Sequence, residues 1–321
     1  MKFVGAVLVL ATMAAGCGQA VPSQGRQETL NTSRAALAAQ PAGKRKSPSP
    51  SFRFEIFDAV PGAPATEATS INEEGTIVGN YNDVDFNLLG FIRRRGETET
   101  VTVPFPEAIG TDLRAINARG DILATWGEFT NRFFIHGARI DRRGSVTHFD
   151  VPGSLDTRLR GLNDRGDIVG FYDSSSFFSG IGFLYRDGRF TSFEVPSADP
   201  QQTFPRGINN PGDIVGYFND AVTTHGFVLR GGAYATVDVP DAVYTLLTGI
   251  NEQGIAVGFF GAEDGSEQGF LYDIRRGQAT PFSCPGFFTE ANDINNAGAI
   301  VGLCFDDPFN GPFHAFLAEP R

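Results

Sequence analysis

Residues that most often carry chemistry are scarce in this 321-residue chain: it has four His, three Cys, two Met and one Trp, and no Lys follows Lys46. The histidines, His136, His148, His225 and His314, are scattered along the sequence. Neither a His-Glu-x-x-His nor a paired Cys-x-x-Cys occurs, so no metal centre and no cofactor is expected. A Gly-x-Ser-x-Gly nucleophile elbow is also missing, which removes the usual sign of covalent hydrolysis. Positive charge is confined. Residues 1–50 carry six Lys and Arg against one Glu, and the remainder carries 20 Arg against 36 Asp and Glu, a net charge of −16. An acidic body of this kind repels phosphate backbones, which argues against nucleic acid as a partner.

No apolar run is long enough for an ordinary spanning helix. The first residues read instead as an export signal over 1–17, with Lys2 as the positive region, Val4 to Met13 as the apolar stretch and Ala14-Ala15-Gly16 before Cys17. Ala-Ala-Gly-Cys resembles a bacterial lipobox, in which Cys17 would be acylated, although Ala14 replaces the usual Leu. Ordinary secretion with cleavage nearby is the alternative. Residues 18–52 are dominated by Ala, Pro, Ser, Gln and Gly and read as a disordered tether, a composition unable to offset its ordering entropy by burial. The expected address is the outer membrane or cell surface, with periplasmic or secreted as the alternative. Membrane contact is expected only through the lipid, and a monomer is expected.

What the chain has in abundance is one repeated phrase. An Ile/Leu-Asn-x-x-Gly core, usually followed by Ile-Val-Gly, recurs at Asn72, Asn117, Asn163, Asn209, Asn251 and Asn295, with spacings of 45, 46, 46, 42 and 44 residues. A period in the forties with several short strands per unit points to the blades of a β-propeller. In the third unit the spacing predicts strands over 158–162, 167–172, 182–185 and 190–195. Asn163-Asp164-Arg165-Gly166 makes the first turn, with Gly in the left-handed region. Consecutive apolar residues such as Ile168-Val169 call for burial of both strand faces, which a blade between two neighbours provides. Gly170 and its counterparts Gly79, Gly216, Gly258 and Gly302 are expected to mark close approach between blades. Phe-Asp-Val-Pro or a variant ends the fourth strand at Phe149-Asp150-Val151-Pro152, Phe193-Glu194-Val195-Pro196, Val237-Asp238-Val239-Pro240 and Phe282-Ser283-Cys284-Pro285, and it also precedes the first unit at Phe57-Asp58-Ala59-Val60-Pro61, whereas the last unit lacks it. The expectation is a six-bladed, all-β propeller over 53–321 with four-stranded antiparallel blades, the N-terminal strand completing the sixth and so removing exposed edges.

The repeat phrase, followed by His/x-Gly/Ala-Phe-Leu, resembles the bacterial extracellular proteins called the HAF family; His314-Ala315-Phe316 and His225-Gly226-Phe227 carry the signature, and Phe133-Phe134 is taken as its departure in the second unit. The resemblance implies an exported repeat protein and no particular activity.

Three candidate constellations remain. Three residues before the asparagines come Thr69, Arg114, Arg160, Arg206, Thr248 and Asn292, on the strand that lines a propeller's channel. Arg114, Arg160 and Arg206 would then stand at one depth and hold an anion, unless each is taken up by a nearby acid such as Asp112, Glu290 or Asp293. Asp83-Val84-Asp85-Phe86-Asn87 begins like a calcium loop, but Leu88 and Arg94 stand where that loop needs Gly and Glu. Cys284 and Cys304 are left to pair with each other, closing a loop of about twenty residues for ~3 kcal/mol in the chain-entropy view; the sequence leaves open whether they meet. The leading functional expectation is a binding module for a protein, glycan or small anionic ligand. The alternatives are an extracellular hydrolase or lyase with its site at the propeller centre, and a passive structural envelope protein.

Overall fold

A computed structural model describes residues 51–174, 179–284, 288–305 and 311–321. The leader, Cys17 and nearly all of the tether lie outside the described residues, as do Pro285 and the acidic pair at 306–307. Phe52, placed in the tether by composition, already opens the first strand.

Five sheets of four antiparallel strands run in chain order. In the third, Asp156–Leu162, Ile168–Asp173, Ile181–Arg186 and Arg189–Phe193 match the predicted strands to within two residues at each end. The sixth sheet consists of Phe288–Ile294, Ile300–Phe305 and Phe313–Pro320, and the N-terminal strand Phe52–Phe57 completes it, pairing antiparallel from Phe52 opposite Pro320 to Phe57 opposite Ala315. A single parallel bridge between Ala65 and Phe313 links this blade to the first. The first strand of each blade contacts the first strands of both neighbours, including the last with the first, so the ring is closed. The fold is an all-β, six-bladed propeller. The outer strands are shorter than expected: they stop at His148, Phe193, Val237 and Phe282, so the proline follows the strand rather than ending it.

The repeated glycines act within a blade, not between blades as expected. A methyl on Gly79, Gly170, Gly216, Gly258 or Gly302 would overlap the carbonyl oxygen of its own inner strand, at Glu67, Arg158, Phe204, Leu246 and Glu290. Directly across from these glycines sit Phe91, Phe183, Phe227, Phe270 and Phe316, all fully buried. In the second blade Ala124 faces Ala138, so two methyls share the space of a ring and a hydrogen. The counterpart of Gly-Phe there is therefore Gly137-Ala138, and His136, not Phe133-Phe134, occupies the signature position. His136, His225 and His314 each bond through Nδ1 to the aspartate of the Phe-Asp-Val-Pro phrase, Asp150, Asp238 and Asp58, at 2.7, 2.7 and 2.6 Å. The two halves of the repeat signature thus meet as one clip between the third strand and the segment leaving the fourth.

Neighbouring blades are joined by a residue type that sequence reading missed. Six positions before the repeat asparagines stand Thr66, Thr111, Thr157, Thr203, Thr245 and Thr289, all buried. Each hydroxyl accepts the backbone N–H of the residue closing the preceding blade: Ala59, Val103, Val151, Val195, Val239 and Cys284, at 2.9–3.1 Å. Six identical threonines in register were a legible signal. Cys284 and Cys304 form a disulfide across the fifth and sixth blades, with Cα atoms 6.5 Å apart.

Candidate functional site

The six inner strands enclose a polar cavity of about 120 Å3 on the ring axis. Towards one end the repeat asparagines line it. Each Asn Oδ1 accepts backbone N–H groups of its own turn, as Asn163 does from Arg165 and Asp167 at 3.0 and 2.9 Å. Each Nδ2 donates to the carbonyl oxygen of the next asparagine round the ring, and the cycle Asn72, Asn117, Asn163, Asn209, Asn251, Asn295 returns to Asn72 with lengths of 3.1–3.4 Å. The structural role expected for the asparagine is present, and this closed ring of amides adds to it. The following residues repeat the pattern at the mouth: the N–H of Ala118, Asp164, Asn210, Glu252 and Asn296 is taken by Asp164, Asn210, Glu252, Asn296 and Glu73 in turn. Ala118 has no side-chain acceptor, so the circuit breaks there. Burial raises the pKa of Glu73 and of Glu252, and the neighbouring carboxylates of the mouth act in the same direction.

Deeper in the cavity the three arginines do come together, but they are not equivalent. Arg114 is ion-paired with Asp112 and lies 3.7 Å from Glu67; burial opposes its charge, yet the two carboxylates hold its pKa above the ordinary value. Asp112 is further held by Asn80 and Thr125. Arg160 has no carboxylate partner among the described residues. Its guanidinium lies 5.3 Å from the Phe171 ring centre, with one long contact to the Leu159 carbonyl at 3.5 Å. Arg206 donates to the Tyr217 hydroxyl at 3.2 Å and sits over that ring. The Nε atoms of all three arginines are buried without a hydrogen-bond acceptor. Burial pulls the pKa of Arg160 well down, and the charges of Arg114 and Arg206 push the same way. A guanidinium stays protonated in proteins, so this strain is carried as positive charge that Asp112 offsets only in part.

Of the acids suggested as partners for these arginines, Asp112 does pair with Arg114, whereas Asp293 is engaged elsewhere. Asp293 accepts from the Ser70 hydroxyl at 2.6 Å and from the N–H of Ile71 and Ile294 at 3.1 and 2.9 Å, locking the last blade to the first; burial raises its pKa to about 6. Glu290 is raised well above the carboxylate range by burial and by the charges of Glu267 and Glu67, the charge of Arg206 opposing them, and Glu267 is bonded to Tyr244. Glu67 takes Asn80 and Asn292 at 3.1 and 3.2 Å. Thr69 and Thr248 bond to carbonyls of neighbouring inner strands. The calcium-like loop is satisfied from within, Asp83 accepting from Asp85 and Asn87.

No protein-family model matches the chain, and no curated protein is similar to it. Solved structures are. A putative TolB from Agrobacterium tumefaciens shares 12% identity at a TM-score of 0.56, the match covering 84% of this chain and 99% of that one. AofleA from Arthrobotrys oligospora shares 13% at 0.52, covering 88% and 89%. A protein of unknown function from Dyadobacter fermentans shares 11% at 0.50, covering 84% and 95%. At such identities the likeness concerns the fold alone.

Proposed function

We propose that the protein is a binding module whose central cavity takes a small anionic ligand, a carboxylate in the first place. The observation that carries this reading is the pair Arg160 and Arg206: two part-buried guanidiniums with aromatic walls, unused Nε donors and no carboxylate in ion-pair contact among the described residues, Asp112 and Glu290 acting on them only at longer range. A planar, two-oxygen anion matches the fork of such a group, and its charge offsets the cost of leaving the pair buried. A passive structural ring would pair its channel charges internally, as Arg114 does. Binding is favoured over hydrolysis because the carboxylates around the cavity are held by donors of the protein itself. The repeat phrase and the leader support placing the chain with HAF-repeat proteins, exported and held at the outer membrane or cell surface by a lipid on Cys17. A bound protein or glycan would instead use the outer rim.

Calorimetric titration with a panel of mono-, di- and tricarboxylates and inorganic phosphate tests the cavity. A carboxylate is expected to bind the wild-type protein, and the double variant Arg160→Gln/Arg206→Gln to lose at least about tenfold in affinity, since each charge-assisted bond contributes about 1.5–3 kcal/mol. Equal affinity of the two proteins would overturn the reading.

A further inference from the structure

Two of the four histidines, on adjacent strands of one hairpin, meet on the second blade. The rings of His136, on the third strand, and His148, at the end of the fourth, have centres 5.3 Å apart. Between them stands Asp150, whose Oδ2 lies 2.7 Å from Nδ1 of His136 and 3.4 Å from Nε2 of His148, while its Oδ1 accepts the N–H of Gly137 at 2.8 Å. One atom from each of the three residues falls within 4.8 Å of the other two. Atoms bound at about 2.0–2.2 Å in a tetrahedral shell are about 3.3–3.6 Å apart, so the 3.4 Å pair already has the spacing of two ligands of one small ion, and the 2.7 Å pair, hydrogen-bonded without an ion, has to open by less than about 1 Å.

Two further features orient the group. Nε2 of His136 faces Glu128 at 3.2 Å; an ion at Nδ1 would take the place of the proton shared with Asp150, and Glu128 would hold the remaining proton on Nε2, the carboxylate–histidine arrangement that keeps metal-binding imidazoles in one tautomer. Trp126 lies against His136, ring centres 4.6 Å apart, and fixes its plane. The molecule also supplies its own control. The fourth blade repeats the clip, with His225 between Asp238 and Asp220 at 2.7 and 3.3 Å, but Thr236 stands where the second blade has His148. The sixth blade has His314 with Asp58 and carries Ile56 at that place. The clip therefore needs one histidine, and His148, half exposed, is surplus to it.

We propose that His136 Nδ1, His148 Nε2 and Asp150 Oδ2 form a binding site for a divalent transition metal ion of borderline softness, with zinc as its representative and at least one coordination position open to solvent. Imidazole and carboxylate donors select this class over calcium and magnesium, which prefer all-oxygen shells. The site lies on the blade's flank, independent of the arginine cavity, and does not rest on the function proposed for it.

Tag-free protein, stripped with chelator and dialysed, is titrated with Zn2+ by calorimetry and with Co2+ by visible absorption. One equivalent is expected to bind, with cobalt bands of imidazole coordination. His148→Ala should weaken binding by at least tenfold, and Glu128→Gln by about 10–100-fold, the usual effect of losing an orienting partner. His225→Gln should change nothing. His148→Ala removes only a half-exposed side chain, and an unchanged melting curve in chelator verifies that it folds. Absence of stoichiometric binding, or equal binding by His148→Ala, or an equal loss in His225→Gln, would each overturn the assignment.

Discussion

Two layers of the same channel are built on the same six strands and behave in opposite ways. In the asparagine layer every amide is used at both ends, the oxygen on its own turn and the nitrogen on the next blade, so six side chains act as one closed hydrogen-bonded hoop. Three residues earlier, the arginine layer holds two guanidiniums whose donors exceed the acceptors available. Buried polar groups are normally satisfied, and those that are not call for an explanation. The contrast separates residues that make the ring from residues that the ring presents.

The sharpest way to break that contrast is to remove one member of the hoop. Asn163→Ala deletes two accepted turn bonds and donations to Asn209 and Asp167 from a buried position, leaving backbone N–H groups without partners. With each stranded group costing about 1–3 kcal/mol, a loss of roughly 3 kcal/mol or more is expected in chemical denaturation. Asn163→Asp refines the result, since a carboxylate keeps the turn acceptors but sets a negative charge against the Asn209 carbonyl. If Asp costs nothing, the turn alone matters and the hoop does not.

A smaller effect is expected at the seam between last and first blades. Asp293 has a pKa of about 6 in the folded protein, above the 3.8 of a free aspartate, because burial outweighs its three hydrogen bonds. The folded state therefore holds this proton more tightly than the unfolded chain. The resulting stabilisation is complete below about pH 4 and is lost as pH rises through 6. Asp293→Asn removes that dependence, so the difference in melting temperature, wild type minus variant, should shrink as pH rises from 4 to 7. Glu73, Glu252 and Glu290 are shifted in the same direction and remain in both proteins, so the subtraction isolates Asp293. A difference that does not change with pH would remove Asp293 from the account.

Much of the architecture could be read from the chain because the repeat states local chemistry six times: an Asn that opens a turn, a Gly that follows it, paired apolar residues that need two buried faces. The borrowed strand was legible from one Phe-Asp phrase too many at the start and one too few at the end. What could not be read was chemistry between units. The glycine of Ile-Val-Gly is small because of Phe across its own blade, a relation visible only once the register is known, and the same register moves the second unit's signature from Phe133-Phe134 to Gly137-Ala138. The arginines were legible as a set, but their division into one paired and two unpaired members shows only in the structure: the inner strand bulges at the arginine in all three blades, and Asp112, two residues before Arg114, has Arg158 and Phe204 as its counterparts. His136 and His148 are twelve residues apart and were read as scattered; only the hairpin between the third and fourth strands brings them to one ion's reach.

The smallest expected effect on stability is also the one that most directly separates the layers. If Arg160 and Arg206 are presented by the ring rather than part of it, Arg160→Gln/Arg206→Gln should leave the free energy of unfolding within about 0.5 kcal/mol of wild type, or raise it, because it removes part-buried charge that has no ion-pair partner among the described residues. Arg114→Gln should do the reverse, since it strands Asp112 in a buried position, and breaking a buried pair costs about 3–5 kcal/mol when fully enclosed, less at this partly open site. Denaturation of the two variants side by side in ligand-free buffer decides it. Should the double variant lose as much stability as Arg114→Gln, the pair belongs to the scaffold, and the hoop and the arginine layer would be two parts of a single structural device.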